Sequence, residues 1–129
     1  MIVVDTSVIV AILGEEPDAK SLAARIVREG GAILPATCYL EAAMVASRIA
    51  SYRLRLDAII EELRLEMHPI DEVAVRLAAD AFERYGKGRG HPARLNFGDC
   101  LSYAVAKARQ APLLFKGNDF LQTDIVAAT

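Results

Sequence analysis

Two short, wholly apolar runs near the ends of the chain, Ile2–Val4 and Pro112–Phe115, constrain the fold more than anything between them. A strand with one face in water alternates apolar and polar residues, and neither run does. Strands of this kind belong in a sheet covered on both faces. The stretch between them reads as helices separated by further short strand candidates. Strand and helix in alternation lead to the α/β class, with a mainly parallel central sheet.

Taken in order, Asp5-Thr6-Ser7 offers N-cap chemistry for a helix running to about Leu13, which Gly14-Glu15-Glu16-Pro17 breaks. A second helix, about Asp18–Glu29, carries Leu22, Ala23, Ile26 and Val27 on one face and stops at Gly30-Gly31. Ala32–Leu34 is a short strand. Thr37 is expected to cap a helix over about Cys38–Ala50, with Leu40, Met44, Val45 and Ile49 as its buried stripe. The next helix, about Leu54–Leu65, buries Leu56, Ile59, Ile60 and Leu63 and turns Asp57, Glu61, Glu62 and Arg64 outward. Glu66–Pro69 is a brief strand, and Asp71 caps a helix that reaches Tyr85 and ends at Gly86. Lys87–Arg94 is a basic, glycine-rich loop. A helix then runs from Phe97 or Gly98 to Gln110, followed by strand Leu113–Phe115 and a last strand near Ile125–Val126.

A chain of 129 residues, 53% hydrophobic and 25% charged, has the length of one domain and enough apolar content for a sizeable core. The longest apolar run, Val8–Leu13, is too short to span a bilayer, and no basic stretch precedes it as in a signal peptide. Cys38 and Cys100 lack metal-ligand spacing and read as reduced core thiols of a cytoplasmic protein. The net charge of −2 argues against a general polyanion-coating protein. It leaves room for a local basic rim, for which Arg48, Arg53 and Arg55 form one cluster and Arg84, Lys87, Arg89 and Arg94 another. Solvation of helix ends accounts for the same charges.

Four acids stand at the edges of apolar segments: Asp5, Glu41, Asp99 and Asp119. Asp5 closes the first strand, where open parallel sheets gather their active groups. Glu41 lies early in its helix, where the positive end of the macrodipole favours an anion. Asp99 opens a helix that is otherwise buried, which solvation does not explain. Asp119 follows Lys116-Gly117-Asn118, ordinary turn chemistry, and Asp124 comes close behind as a further outer carboxylate. Acids brought together repel one another, and a hard divalent cation reverses that penalty. The chemistry expected is metal-assisted hydrolysis of a phosphodiester.

These residues carry a resemblance. Met1-Ile2-Val3-Val4-Asp5-Thr6-Ser7, Glu41, Asn96-Phe97-Gly98-Asp99-Cys100 and Leu114-Phe115-Lys116-Gly117-Asn118-Asp119-Phe120 are similar to the motifs of PIN-domain ribonucleases. More narrowly, they resemble those of VapC toxins from toxin–antitoxin pairs. The resemblance spans the whole chain, so residues 1–129 are expected to form a single PIN domain with a three-layer α/β/α fold. It implies Mg²⁺- or Mn²⁺-dependent cleavage of RNA, leaving a 5′-phosphate and a 3′-hydroxyl, and inhibition of translation. It also implies a homodimer and neutralisation by a cognate VapB antitoxin, with no membrane association. By the same resemblance Asp5 and Asp99 hold the principal metal, and Glu41 and Asp119 orient a second metal or its waters, with Asp124 the alternative fourth acid. Thr6, Ser7 and Asn118 support the site. Lys87, Arg89, Arg94, Arg48, Arg53 and Arg55 are candidate contacts to RNA.

Other readings fit less of the chain. A receiver-type phosphoacceptor domain would need Asp57 after a strand, and Asp57 sits in helical periodicity. A non-catalytic PIN-like regulatory or interaction module would not need all four acids. His68 and His91 have no nucleophile at a persuasive position and read as structural or surface residues. An antitoxin groove of Val8, Ile9, Ile12 and Leu13 against the Leu54–Leu65 helix competes with simple core packing of the same residues.

Overall fold

The computed structural model describes Met1–Thr129. Its elements run β1 (Val3–Val4), α1 (Thr6–Leu13), α2 (Ala19–Glu29), β2 (Ala32–Pro35), α3 (Ala36–Val45), α4 (Tyr52–Glu62), β3 (Leu65–His68), α5 (Glu72–Tyr85), α6 (Phe97–Ala108) and β4 (Leu113–Leu114). The strands form one parallel sheet in the order β3-β2-β1-β4. After β1 the chain winds outward through β2 and β3, and β4 then enters on the other side of β1. The direction of winding therefore reverses between β1 and β4, and the crevice beyond their carboxyl ends is the natural ligand position of such a sheet.

Alternation along the strands explains the three layers. Val3, Ile33 and Leu113 point to one face, where α5 and α6 pack with Ala78, Ala81, Leu101, Val105 and Phe120. Ile2, Val4, Leu34 and Leu114 point to the other, against Val8, Ile9, Leu13, Ile26, Cys38, Ala42 and Leu56 of α1 to α4. Each large aliphatic side chain buried this way contributes roughly 1.5–3 kcal/mol, so the two cores hold the sheet between them. Val8, Ile9 and Leu13 are at most 1% exposed, which assigns them to the core and removes them from any open groove.

Local signals act as read. The Asp71 side chain accepts from Ala74 N at 2.9 Å, and Gly30 closes α2 with the left-handed φ of 84° that a residue with a Cβ disfavours. In α4, Leu56 is buried, and Ile59, Ile60 and Leu63 pack beside it.

The largest departure is α3. It starts at Ala36 with Pro35 in the cap position and ends at Val45, short of Ala50. Thr37 does not cap it, and the buried Oγ1 of Thr37 has no hydrogen-bond partner. Leu40, Met44 and Val45 are 60%, 67% and 63% exposed, so the expected stripe faces outward. The buried face is the small one, Cys38, Ala42 and Ala43, because α3 lies close against α1 and α6, where long side chains would not fit. Val27 likewise turns outward on α2. The edge strand β3 is shifted one residue toward the N-terminus, to Leu65–His68. Ile125–Val126 forms no full strand; Leu113 N donates to Val126 O and Ala128 N to Leu113 O along the β4 edge. No helix is long and apolar enough to cross a membrane.

Candidate active site

Asp5 leaves β1 and caps α1, and at 6% exposure it is the one buried acid. Its backbone N–H donates to Leu114 O at 2.9 Å, which seats it beside the end of β4. Oδ2 accepts from Ser7 N at 3.1 Å and Ser7 Oγ at 2.7 Å. Oδ1 accepts from Ser102 Oγ at 2.6 Å, across the sheet from α6. Ser7 Oγ in turn accepts from Lys116 N at 3.0 Å, so one hydroxyl ties the loop after β4 to the acid after β1.

Glu41 projects from α3, and its Oε1 accepts from Thr6 Oγ1 at 2.8 Å. The carboxylate lies on Gly98, where any Cβ would collide with it. Asp99 sits in the first turn of α6 inside a reciprocal cap. Its N–H donates to Asn96 Oδ1 at 2.8 Å, and its Oδ2 accepts from Asn96 N at 3.1 Å. Burial pushes the Asp99 carboxyl up to about 6; the Asn96 backbone opposes this, and the charges of Asp5, Asp119 and Glu41 add to it. Those three influences place the four acids in one electrostatic neighbourhood.

Asp119 is exposed on the loop after β4. That loop is anchored by Phe120, which is 2% exposed and packs against Phe115 with the rings tilted at 60° and their centroids 5.1 Å apart. With Asp99, Asn96, Pro92, Ala93, Lys87 and Arg94 it lines an open cavity of about 370 Å³. Asp124 is elsewhere, toward the other end of α6. It pairs with Lys107 at 3.0 Å and accepts from Tyr103 Oη at 2.5 Å. Burial would raise its pKa, but Tyr103, Lys107 and Arg84 outweigh that and hold it low.

The supporting and basic residues divide in the same way. Thr6 and Ser7 hold Glu41 and Asp5, whereas Asn118 contributes its carbonyl to Leu121 N and no side-chain bond to the acids. Lys87 and Arg94 border the acid-lined cavity. Arg89 lies 5.8 Å from the Phe82 ring centroid. Arg55 is turned toward the far end of α1, donating to Leu13 O at 2.9 Å, and Arg53 donates to Tyr39 Oη at 3.1 Å. Arg48 is exposed beyond α3. The Arg48, Arg53 and Arg55 cluster therefore does not border that cavity. His91 accepts from Ala93 N and packs against Tyr85, a structural role.

Ser102 and the Asn96 cap are the partners that motif reading passed over. A hydroxyl in the middle of an otherwise apolar helix, one turn after Asp99, was the available signal, since a buried hydroxyl needs a partner.

None of the four acids forms an ion pair with a basic side chain. Lys116, nearest to Asp119 in sequence, is drawn instead to Glu16 and Asp18. Four uncompensated carboxylates are a hard-oxygen donor set, which suits Mg²⁺ or Mn²⁺ and not a soft metal. No three of them are grouped closely enough to hold one ion together. Mg²⁺ needs no such grouping, because it commonly takes one or two carboxylates and keeps several waters.

The PIN domain family profile matches residues 2–126. The chain is 45% identical over 128 residues to Ribonuclease VapC28 of Mycobacterium tuberculosis, covering 98% of this chain and 96% of that one. It is 42% identical over 127 residues to Ribonuclease VapC of Mycolicibacterium smegmatis, covering 97% and 98%. Among solved structures, a toxin–antitoxin complex from Klebsiella pneumoniae aligns with a TM-score of 0.74 at 14% identity, over 98% of this chain and 96% of that one. FitAcB from Neisseria gonorrhoeae aligns at 0.70 and 20% identity, over 100% and 97%. At those identities the structural likeness speaks for the three-layer fold.

Proposed function

Because the chain belongs to the PIN-domain family, we propose that it is a VapC-type toxin: a metal-dependent endoribonuclease that arrests translation and is held in check by a VapB-type antitoxin. Its VapC relatives carry the ribonuclease class. The observation that supports the chemistry is that the charges of Asp5, Glu41 and Asp119 all bear on Asp99 while none of the four acids is paired with a cationic side chain.

Asp5 and Asp99 would hold Mg²⁺ or Mn²⁺, and Glu41 and Asp119 would orient its waters or a second ion. A bound cation would supply Lewis-acid chemistry there, favouring deprotonation of a water and offsetting the charge of the scissile phosphate. This chain's own residues supply the rest. Ser7 and Ser102 fix Asp5, Thr6 fixes Glu41, and the Asn96 cap fixes Asp99, so the acids are set before substrate arrives. Lys87 and Arg94 stand on the open side to take flanking phosphates, which positions RNA without reading its sequence. Hydrolysis leaves a 5′-phosphate and a 3′-hydroxyl.

A homodimer and an antitoxin both require exposed apolar surface. Leu40, Met44 and Phe97, at 60%, 67% and 81% exposure, provide it on the helices that bear Glu41 and Asp99. The test is cleavage of end-labelled RNA by antitoxin-free protein in Mg²⁺, Mn²⁺ or EDTA, beside Asp99→Asn. Metal-dependent cleavage lost in Asp99→Asn is expected. Metal-independent cleavage, or equal cleavage by the variant, would remove the proposal.

A further inference from the structure

Asp5 is held by more hydrogen bonds than a simple helix cap needs, and their arrangement limits how it can bind a cation. A carboxylate has about four lone-pair positions, two on each oxygen. Oδ2 accepts two hydrogen bonds, from Ser7 N and Ser7 Oγ. Oδ1 accepts one, from Ser102 Oγ at 2.6 Å. Only one position, on Oδ1, is left for anything else.

Ser102 is 0% exposed and lies on α6 one turn after Asp99, so the helix that carries one acid also orients the other. The Ser102 hydroxyl has a single proton, and the bond to a carboxylate takes it. Cys38 Sγ, from α3, lies 3.3 Å from Ser102 Oγ. With the Ser102 proton committed to Asp5, the thiol is the donor in that contact. Burial pushes the Cys38 thiol up to about 12, which keeps its proton in place at any working pH. The chain Cys38 to Ser102 to Asp5 thus has one direction throughout, and it links α3 and α6 to the end of β1.

We propose that Ser102 is a positioning residue for the metal site: its hydroxyl, itself oriented by the Cys38 thiol, turns Asp5 so that Asp5 binds the cation through Oδ1 alone. This rests on the reading of Asp5 as a metal ligand. Partners that orient a ligand in this way change metal affinity by about 10- to 100-fold when removed. Without Ser102, Oδ1 regains a second free position, and the carboxylate loses its anchor on the α6 side.

The experiment is a Mn²⁺ titration by calorimetry on the full-length wild type, Ser102→Ala and Cys38→Ser, with thermal unfolding of each in EDTA. Ser102→Ala is expected to bind Mn²⁺ about tenfold or more weakly. Alanine favours a helix, so its unfolding midpoint in EDTA should lie within a few degrees of wild type. At saturating Mn²⁺ its kcat on RNA should fall while KM holds. Cys38→Ser keeps a donor beside Ser102 and should bind within about twofold of wild type. Ser102→Ala binding as wild type does would overturn the proposal, as would equal losses in both variants or a Ser102→Ala protein that does not fold. No Mn²⁺ binding by wild type would instead sink the metal reading itself.

Discussion

Gly98 lies under the carboxylate of Glu41, so close that a Cβ at position 98 would stand 2.6 Å from Oε1. The two residues come from α6 and α3, and the missing side chain lets those helices bring their acids together. Nothing in the backbone of Gly98 requires glycine, since its φ is not in the left-handed region. Its demand is purely one of space. Gly98→Ala should therefore push Glu41 off its Thr6 bond and lower RNA cleavage by about 100-fold, the usual effect of misplacing a reacting group by an ångström. Unfolding in EDTA should change by no more than a few degrees. A cleavage assay beside a melt checks both, and undiminished cleavage would refute the close-approach argument.

Asp99 should make cation binding depend on pH. Its carboxyl titrates near 6 in the folded protein, against an ordinary value of 3.8. A cation must displace that proton, so Mn²⁺ affinity should fall by about tenfold per pH unit below 6. The metal-free protein should move the other way. The native state holds the extra proton between those two values, so this group's effect on stability improves as pH falls from 6 toward 4 and worsens as pH rises to 6. Asp99→Asn keeps an acceptor for the Asn96 cap and removes the buried charge. At pH 7 in EDTA it should melt a few degrees above wild type while cutting no RNA. A lower melting point would mean that burial of Asp99 is not a penalty.

Asp119 and Asp124 should separate cleanly. Asp119→Asn is expected to reduce cleavage by at least about tenfold with no loss of stability, since its side chain is exposed and unpaired. Asp124→Asn should leave cleavage within about twofold and cost roughly 0.5–1.5 kcal/mol in urea unfolding, through the Tyr103 and Lys107 contacts. The reverse pattern would assign the fourth acid to Asp124.

Lys87→Ala and Arg94→Ala should raise KM for RNA and leave kcat intact. Each should also reduce the slope of log affinity against log salt by about 0.7, the value for one contact to a single-stranded phosphate. Arg55→Ala should do neither, because its guanidinium is committed to the Leu13 carbonyl. RNA affinity measured at several salt concentrations distinguishes the three.

Much of the site was legible because its acids sit beside local features that sequence displays. Asp5 ends an apolar strand, and Asp99 opens a buried helix after Asn96 and Gly98. What could not be read depends on which neighbour lies close. On α3, hydrophobic periodicity ranks Leu40 and Met44 above Ala42 and Ala43, whereas a helix pressed against two others buries its smallest residues. Arg55 looked free to meet RNA until the carboxyl end of α1 took its donors. Ser102 gave no local sign of its partner, because Asp5 is distant in sequence and meets it only through the fold.

The order of the sheet has a consequence for how the site is assembled. β4 is the last of the four strands in chain order and inserts beside the first, and the loop that ends in Asp119 is fastened there by the bond from Lys116 N to Ser7 Oγ. Asp5, Glu41 and Asp99 all precede it. The fourth acid therefore joins the other three only once β4 has paired with β1, so the step that closes the sheet is also the step that completes the acidic cluster.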